Sequence, residues 1–256
     1  MAADGTLSQY PCLTPSQFTE AAQGLIAIAS TWLPGNSPWH WVTVSRSRGP
    51  RTLTRTTSPA SEPGYLVHKQ TKLIAENTAT RQDEDLPYEP EDIDPSALPI
   101  NHTANGQWIE TEYHIVYSAS YQVPVLHFRS TYLVTGETLD LDSVQRHVIS
   151  QTWKPSLDSV PYGGAISMQD HPFLGVPYFY IHPCNTTSLL ASVDESPDAT
   201  LPEDPPQSLE SVLSRGPRMV SNYLLTWLSL IGQAVGLELV IERFPLGKSV
   251  NLKAEE

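Results

Sequence analysis

The segment from Tyr178 to Thr186 combines residue types that can perform nucleophilic chemistry. An aromatic run ends at His182, Pro183 and Cys184, and a polar stretch follows. Proline lacks an N–H and fixes its own φ, so the predicted strand ends at Pro183 and Cys184 is held beside the strand end. The polar stretch predicts the cap of a short helix, and a helix N-terminus favours the thiolate form of a nearby thiol. Cys184 is therefore the candidate nucleophile.

Three kinds of chemistry are open to this thiol. A protease-like pair would use His127, His147, His171 or His182 as the base. A zinc site would use His171, His182 and Cys184, although the sequence lacks the paired spacing typical of such sites. A thioester carrier would need a reachable thiol, a fixed loop and polar groups for the oxyanion. A cysteine is also often only a small core residue, so the residue types alone leave these alternatives open.

The whole chain limits the partners and the compartment. Its 256 residues carry a formal net charge of −13, and an acidic surface makes nucleic acid an unfavourable partner. Cys12 and Cys184 lie too far apart in sequence to indicate a disulfide framework, and Cys12 falls in a terminus that we expect to fray. The start of the chain lacks the features of a secretion signal. We therefore expect a reducing, cytoplasmic setting.

Hydrophobic periodicity predicts the elements that position Cys184. Thr14 and Gln17 have the spacing of a capping box, and the helix that they begin should stop near 34–35. The strongest strand signal places Tyr113, Ile115, Tyr117, Ala119 and Tyr121 on one face. The predicted strands are 39–45, 108–121, 123–133 and 177–182. One short helix is predicted to start near 142 and the last helix to span 220–235, and 65–75 is a strand or a short helix. This order predicts an α+β fold.

The predicted domain covers residues 1–256 and carries two insertions. The stretches at about 46–105 and 192–215 contain acidic, proline-rich runs, a composition that predicts disorder. Residues 219–237 contain no charged side chain, but several polar residues and glycines interrupt them. This pattern favours a buried helix over a transmembrane span.

Three blocks of the sequence resemble a known family. They run from Glu112 to Arg129, from His171 to Thr186 and from Tyr223 to Leu237. In their content and order they resemble the E2-like conjugating enzymes of autophagy known as the autophagy-related protein ten family. The resemblance implies an E2-like fold, with a small antiparallel sheet flanked by helices.

The resemblance also implies an activity and a set of partners. The family's catalytic cysteine corresponds to Cys184. It would accept the ubiquitin-like autophagy-related protein twelve as a thioester from the E1-like autophagy-related protein seven. Transfer to a lysine of autophagy-related protein five would follow and support autophagosome formation. The resemblance implies no metal or organic cofactor.

Two further side chains are candidates for assisting Cys184. Ordinary ubiquitin E2 enzymes carry a His-Pro-Asn motif before their cysteine, and this chain lacks it. His182 lies two residues before Cys184, and Tyr117 lies on a strand that we expect to be a neighbour. We expect either side chain to stabilise the oxyanion or to activate the lysine. The competing interpretations are a structural histidine at a strand end and half-buried core tyrosines at Tyr117 and Tyr121.

Two related functions remain as alternatives. The autophagy-related protein three family acts on a lipid acceptor and carries a membrane-seeking helix, but the first helix here lacks basic residues on its polar face. An inactive E2-like binding module would not need Cys184. A cysteine protease would need a third group to orient its histidine, and the sequence identifies none.

Overall fold

Seven antiparallel strands form one sheet in the computed structural model, which describes residues 7–32, 38–45, 52–56, 63–75, 106–152, 166–193 and 219–237. The order across the sheet is β2-β1-β3-β4-β5-β7-β6, which leaves β2 and β6 as the edges. The bounds are β1 His40–Ser45, β2 Thr52–Thr56, β3 Gly64–Ala75, β4 Gly106–Ser118, β5 Val123–Tyr132, β6 Ile166–Asp170 and β7 Pro177–Ile181.

In the described chain one α-helix precedes β1, and the other three follow β5. Helix α2 begins after Asp140, whose side chain accepts a hydrogen bond from the Ser143 N–H. The bounds are α1 Pro15–Trp32, α2 Leu141–His147, α3 Thr186–Val193 and α4 Val220–Ile231, with 3₁₀ turns at Pro183–Asn185 and Gly232–Val235.

Alternation along the central strands gives the sheet two distinct faces. Leu66, Ile115 and Leu126 are aligned across β3, β4 and β5, and all three are fully buried. Their face, which we call the inner face, contributes to the main core together with α1 and α4. Because side chains alternate along a strand, Tyr65 and Val116 belong to the opposite, outer face. There they form a second, smaller cluster.

Helices α1 and α4 cover the inner face and touch each other closely. The capping box is present: the Thr14 N–H donates to Gln17 Oε1 at 2.9 Å, and the Gln17 N–H donates to Thr14 Oγ1 at 3.3 Å. A Cβ atom added to Gly24 would lie 2.6 Å from the backbone oxygen of Ser221. Only glycine therefore permits this approach of α1 to α4.

The structure confirms the α+β class and most of the predicted elements. Residues 65–75 belong to a strand, which removes the helix alternative. The uncharged stretch 219–237 contains α4 and the following 3₁₀ turn, and most of its apolar side chains are buried in the core. Among the described residues, no helix combines the length and apolarity needed to cross a membrane.

The predicted insertion at 46–105 has to be narrowed, because β2 and the whole of β3 lie inside it. The sequence did not predict β2 because its residues are mostly polar. An edge strand, which pairs on one side only, tolerates such a composition. β6 was also not predicted; it is short, and within the described part of the chain its one partner strand is β7. Several predicted features lie outside the described residues: nearly all the rest of this insertion, residues 194–215 of the second insertion, and the end of α1 at 34–35.

Candidate active site

Strand β7 leads directly to the segment that contains Cys184. It lies between β5 and β6, and Phe128 of β5 is aligned with Phe179. Phe179 packs into the main core, and Ile181 lies against it. Because side chains alternate along a strand, Tyr178 and Tyr180, which flank Phe179, belong to the outer face of the sheet. This anchoring fixes where the chain leaves the sheet.

A buried proline then turns the chain and exposes the thiol. Pro183 begins a 3₁₀ turn that ends at Asn185 and continues directly into α3. The Thr186 N–H donates to the Pro183 carbonyl, which joins the turn to the helix. Pro183 is buried, whereas Cys184 is exposed and carries a free thiol. The sequence-predicted nucleophile is thus reachable from solvent at the start of a helix.

His182 holds the backbone of Cys184 through its side chain. Its Nδ1 atom accepts a hydrogen bond from the Cys184 N–H at 3.2 Å, which makes it the cap of the 3₁₀ turn. An accepting Nδ1 places the proton of the neutral ring on Nε2. The Cys184 N–H is therefore occupied, and the Nε2–H of His182 is the donor that this geometry offers to a ligand.

Tyr121 is the residue that sequence reasoning placed wrongly. It was expected to continue the alternating face of β4, but that strand ends at Ser118 and Tyr121 lies in the turn before β5. Its ring meets the His182 ring edge to face, with centroids 5.7 Å apart. Gln122 has a positive φ of 56°, the signature of a tight turn. The Gln122 N–H donates to the Ser118 carbonyl and closes this turn.

Tyr117 lies on the inner face of the sheet, against the main core. Its hydroxyl donates to the Leu13 carbonyl at 2.7 Å, and its ring packs on Phe18 of α1. Burial raises the pKa of this phenol. His182 follows the inward-facing Ile181 and belongs to the outer side, so the structure does not bring Tyr117 and His182 together. A direct supporting role for Tyr117 stays an untested prediction, and this geometry favours a structural one.

Another of the candidate bases, His171, belongs together with His114 to a buried hydrogen-bonded chain on the outer face. His171 Nδ1 accepts from two backbone N–H groups, those of Phe173 and Leu174. Its proton therefore lies on Nε2, which is 3.1 Å from Nδ1 of His114. His114 Nε2 in turn contacts Oε1 of Glu112 at 2.8 Å. Such a chain fixes the tautomer of each ring.

Glu112 lies at the end of this chain of side chains and also contacts a tyrosine and a lysine. Tyr178 donates its hydroxyl to Glu112 Oε1 at 2.8 Å, and Lys69 Nζ lies 3.0 Å from Oε2. The hydrogen bond from His114 is the main reason that the pKa of this carboxyl lies well below its usual range. Burial lowers the pKa of His171 to about 3, with His114 nearby adding to the shift.

His127 stands beside the chain and is equally buried. Its ring stacks on Tyr180, with centroids 5.8 Å apart. Burial lowers its pKa to about 4, and His114 contributes. The lowered pKa values keep the rings of His127 and His171 neutral at pH 7, and the two rings pack against each other beneath the turn that joins β6 and β7. His147 lies on α2, so among the candidate bases His182 is the one whose contact with Cys184 the structure describes.

The described residues do not support the zinc alternative. They contain no group of three His, Cys, Asp or Glu side chains that could hold a metal ion. His171 uses one ring nitrogen for the backbone and the other for His114, while His182 uses Nδ1 for the Cys184 backbone.

Comparison with known proteins connects this geometry to a family. The family described as "autophagocytosis associated protein, active-site domain" matches residues 17–242. The chain is 31% identical to the ubiquitin-like-conjugating enzyme ATG10 of Arabidopsis thaliana, over 90% of this chain and 94% of that protein. It is 32% identical to human ATG10, over 71% of this chain and 69% of that protein. A crystal structure titled autophagic E2, Atg10, aligns at a TM-score of 0.40 and 12% identity, covering 89% of this chain and 99% of that one. The chain therefore belongs to the autophagocytosis-associated active-site-domain family and, within it, to the ATG10 group of E2-like conjugating enzymes.

Proposed function

We propose that Cys184 carries the ubiquitin-like autophagy-related protein twelve as a thioester and passes it to a lysine of autophagy-related protein five. Family membership supplies the coarser statement, an E2-like conjugating enzyme of autophagy. The observation that carries the proposal is the exposed free thiol of Cys184 on a capped turn. The donor of the acyl group is the E1-like autophagy-related protein seven, and we place the reaction in the cytoplasm where autophagosomes assemble.

The reaction has two acyl-transfer steps at one sulphur. The Cys184 thiolate attacks the C-terminal glycine carbonyl of the ubiquitin-like protein, and the E1 cysteine leaves as a thiolate. The neutral amine of the acceptor lysine then attacks the new thioester, an amide bond forms, and the Cys184 thiolate leaves. The amine loses one proton in this step. Both tetrahedral intermediates carry an oxyanion that needs hydrogen-bond donors.

We propose that His182 and Tyr121 donate the hydrogen bonds that stabilise the oxyanion. The Cys184 N–H is directed at His182 Nδ1, so it does not serve the oxyanion in this arrangement. His182 offers its Nε2–H as a donor, and Tyr121, whose ring touches the His182 ring, offers its hydroxyl as a second. Tyr121 is about half exposed, which suits a group that must meet an incoming carbonyl or amine. Tyr117 acts indirectly in this proposal, by holding Leu13.

We expect His182→Ala to slow transfer more than His182→Asn. Alanine removes the cap of the Cys184 turn, whereas asparagine offers a side-chain oxygen that caps helices well. A lost cap and a lost donor together predict about a ten- to hundredfold lower rate for alanine. Single-turnover discharge of the loaded enzyme to the acceptor measures the rates. Equal rates for the two variants would show that the cap does not matter.

A loading assay tests the function as a whole. The full chain is mixed with autophagy-related protein seven, autophagy-related protein twelve and ATP, then separated on a non-reducing gel. We expect a band shift that reductant abolishes, and the same shift for Cys12→Ser. Addition of autophagy-related protein five should convert the adduct into a reductant-resistant conjugate. Discharge to an aminophospholipid instead would favour the autophagy-related protein three type, and no adduct beside a control E2 that loads would favour a binding module.

A further inference from the structure

The segment 7–13, ahead of α1, connects three structural elements around Cys184. The Leu13 N–H donates to the Gln122 carbonyl at 2.7 Å and thereby tethers the turn that carries Tyr121. Tyr10 donates its hydroxyl to the Leu190 carbonyl in α3 at 2.6 Å. Tyr223 of α4 donates its hydroxyl to the Pro11 carbonyl at 2.7 Å. These contacts join parts of the chain that are far apart in sequence.

The contact to Leu190 falls in the last turn of α3. Helix α3 has eight residues and ends at Val193, so it closes few backbone hydrogen bonds of its own. Helices of this length are not stable alone in water, so outside contacts decide their geometry. The Tyr10 hydroxyl is such a contact.

Tyr10 itself is fixed by the core. Its ring meets Tyr223 edge to face, with centroids 6.1 Å apart and an interplanar angle of 76°. Tyr223 is completely buried in α4. Leu7 and Leu13, at the two ends of the segment, are also buried, with 2% and 1% of their surface exposed. The position of the Tyr10 hydroxyl is therefore set by the body of the protein.

We propose that Tyr10 is a positioning residue for Cys184. The 3₁₀ turn that contains Cys184 runs directly into α3, so the two move as one short unit. His182 holds the start of this unit through the Cys184 N–H, and Tyr10 holds its far end through Leu190. Loss of the second contact leaves the end of α3 held by packing such as that of the buried Leu190 side chain, without this hydrogen bond to fix its position, and the sulphur then spends less time where the acyl group arrives. The inference rests on the proposed role of Cys184.

The test compares Tyr10→Phe with Tyr113→Phe. Each variant removes one hydroxyl that donates to a backbone carbonyl and keeps the ring; Tyr113 donates to Val235 at 2.8 Å, on an element other than α3. The loaded full chain is discharged to hydroxylamine, which needs no acceptor protein. We expect Tyr10→Phe to lower the second-order rate constant of discharge about three- to tenfold, as the loss of one hydrogen bond predicts. Tyr113→Phe should discharge at the wild-type rate.

Hydrogen exchange of the intact protein supplies a second readout. Amides at the end of α3 should exchange about three- to tenfold faster in Tyr10→Phe than in the wild type or in Tyr113→Phe. Wild-type discharge by Tyr10→Phe, or equal slowing by both variants, would overturn the inference. If the wild type forms no adduct at all, the proposed function fails, and unchanged exchange in α3 then separately refutes the positioning contact.

Discussion

Cys184→Ser is expected to trap the ubiquitin-like protein as an oxyester that reductant does not cleave, and Cys184→Ala is expected to form no adduct. Serine keeps an oxygen nucleophile at the same place, but an oxyester resists attack by an amine far better than a thioester does. Transfer to the acceptor should fall at least about a thousandfold in both variants. Non-reducing and reducing gels, run side by side, separate the two kinds of ester.

The position of Cys184 makes this experiment easy to interpret. The side chain is exposed and the thiol is free, so a change to serine or alanine removes no core packing. Cys12→Ser is the matched control, since it removes the chain's other thiol, which is half buried in the segment before α1. Adduct formation by Cys184→Ala together with its loss in Cys12→Ser would transfer the carrier role to Cys12.

Acidification is expected to destabilise the fold well above the range where most carboxylates titrate. His127 and His171 have pKa values of about 4 and 3 in the folded chain, because both are buried. In the unfolded chain their pKa values return to about 6.5. Between these limits the unfolded state binds more protons, so the free energy of unfolding falls as pH decreases. Each histidine contributes a slope of up to about 1.4 kcal/mol per pH unit.

Glu112 adds to this acid sensitivity at lower pH. Its pKa is depressed by the hydrogen bond from His114, so its contribution is complete above the unfolded value of about 4.5 and is lost below it. Besides His114, the Glu112 carboxylate contacts Lys69 and Tyr178, and both of these side chains stay protonated throughout this pH range. Loss of stability should thus begin near pH 6.5 with the histidines and steepen below pH 4.5 with the carboxylate.

Urea unfolding at a series of pH values between 7.5 and 4 measures this effect. His127→Phe keeps an aromatic ring on Tyr180 but cannot take a proton, so its stability should depend less steeply on pH between 6.5 and 4. The difference at pH 4 amounts to about 3 kcal/mol. His147→Gln, on half-buried α2, is the control and should change the slope much less. A slope unchanged in His127→Phe would mean that this ring is not held neutral by burial.

The amino-acid sequence by itself determined the chemistry-bearing residue and the elements around it. The order His182, Pro183 and Cys184 after an aromatic run is local: Pro183 has no N–H to donate to a strand ladder, and β7 ends just before it, at Ile181. The capping box at Thr14 and the periodicity of α1 and α4 are equally local signals, and they predicted these helices correctly. The three blocks that resemble one family also depend only on the order of residues.

Only the tertiary structure decided which side chains surround Cys184. A turn with a positive φ at Gln122 interrupts the alternation of β4, so Tyr121 rather than Tyr117 reaches His182. Pairing of β5 with β7, and of β6 with β7, buries His127 and His171, two of the four candidate bases. Tyr10 meets Leu190 across 180 residues of sequence. Such contacts arise from packing between distant elements, which local propensity and periodicity do not encode.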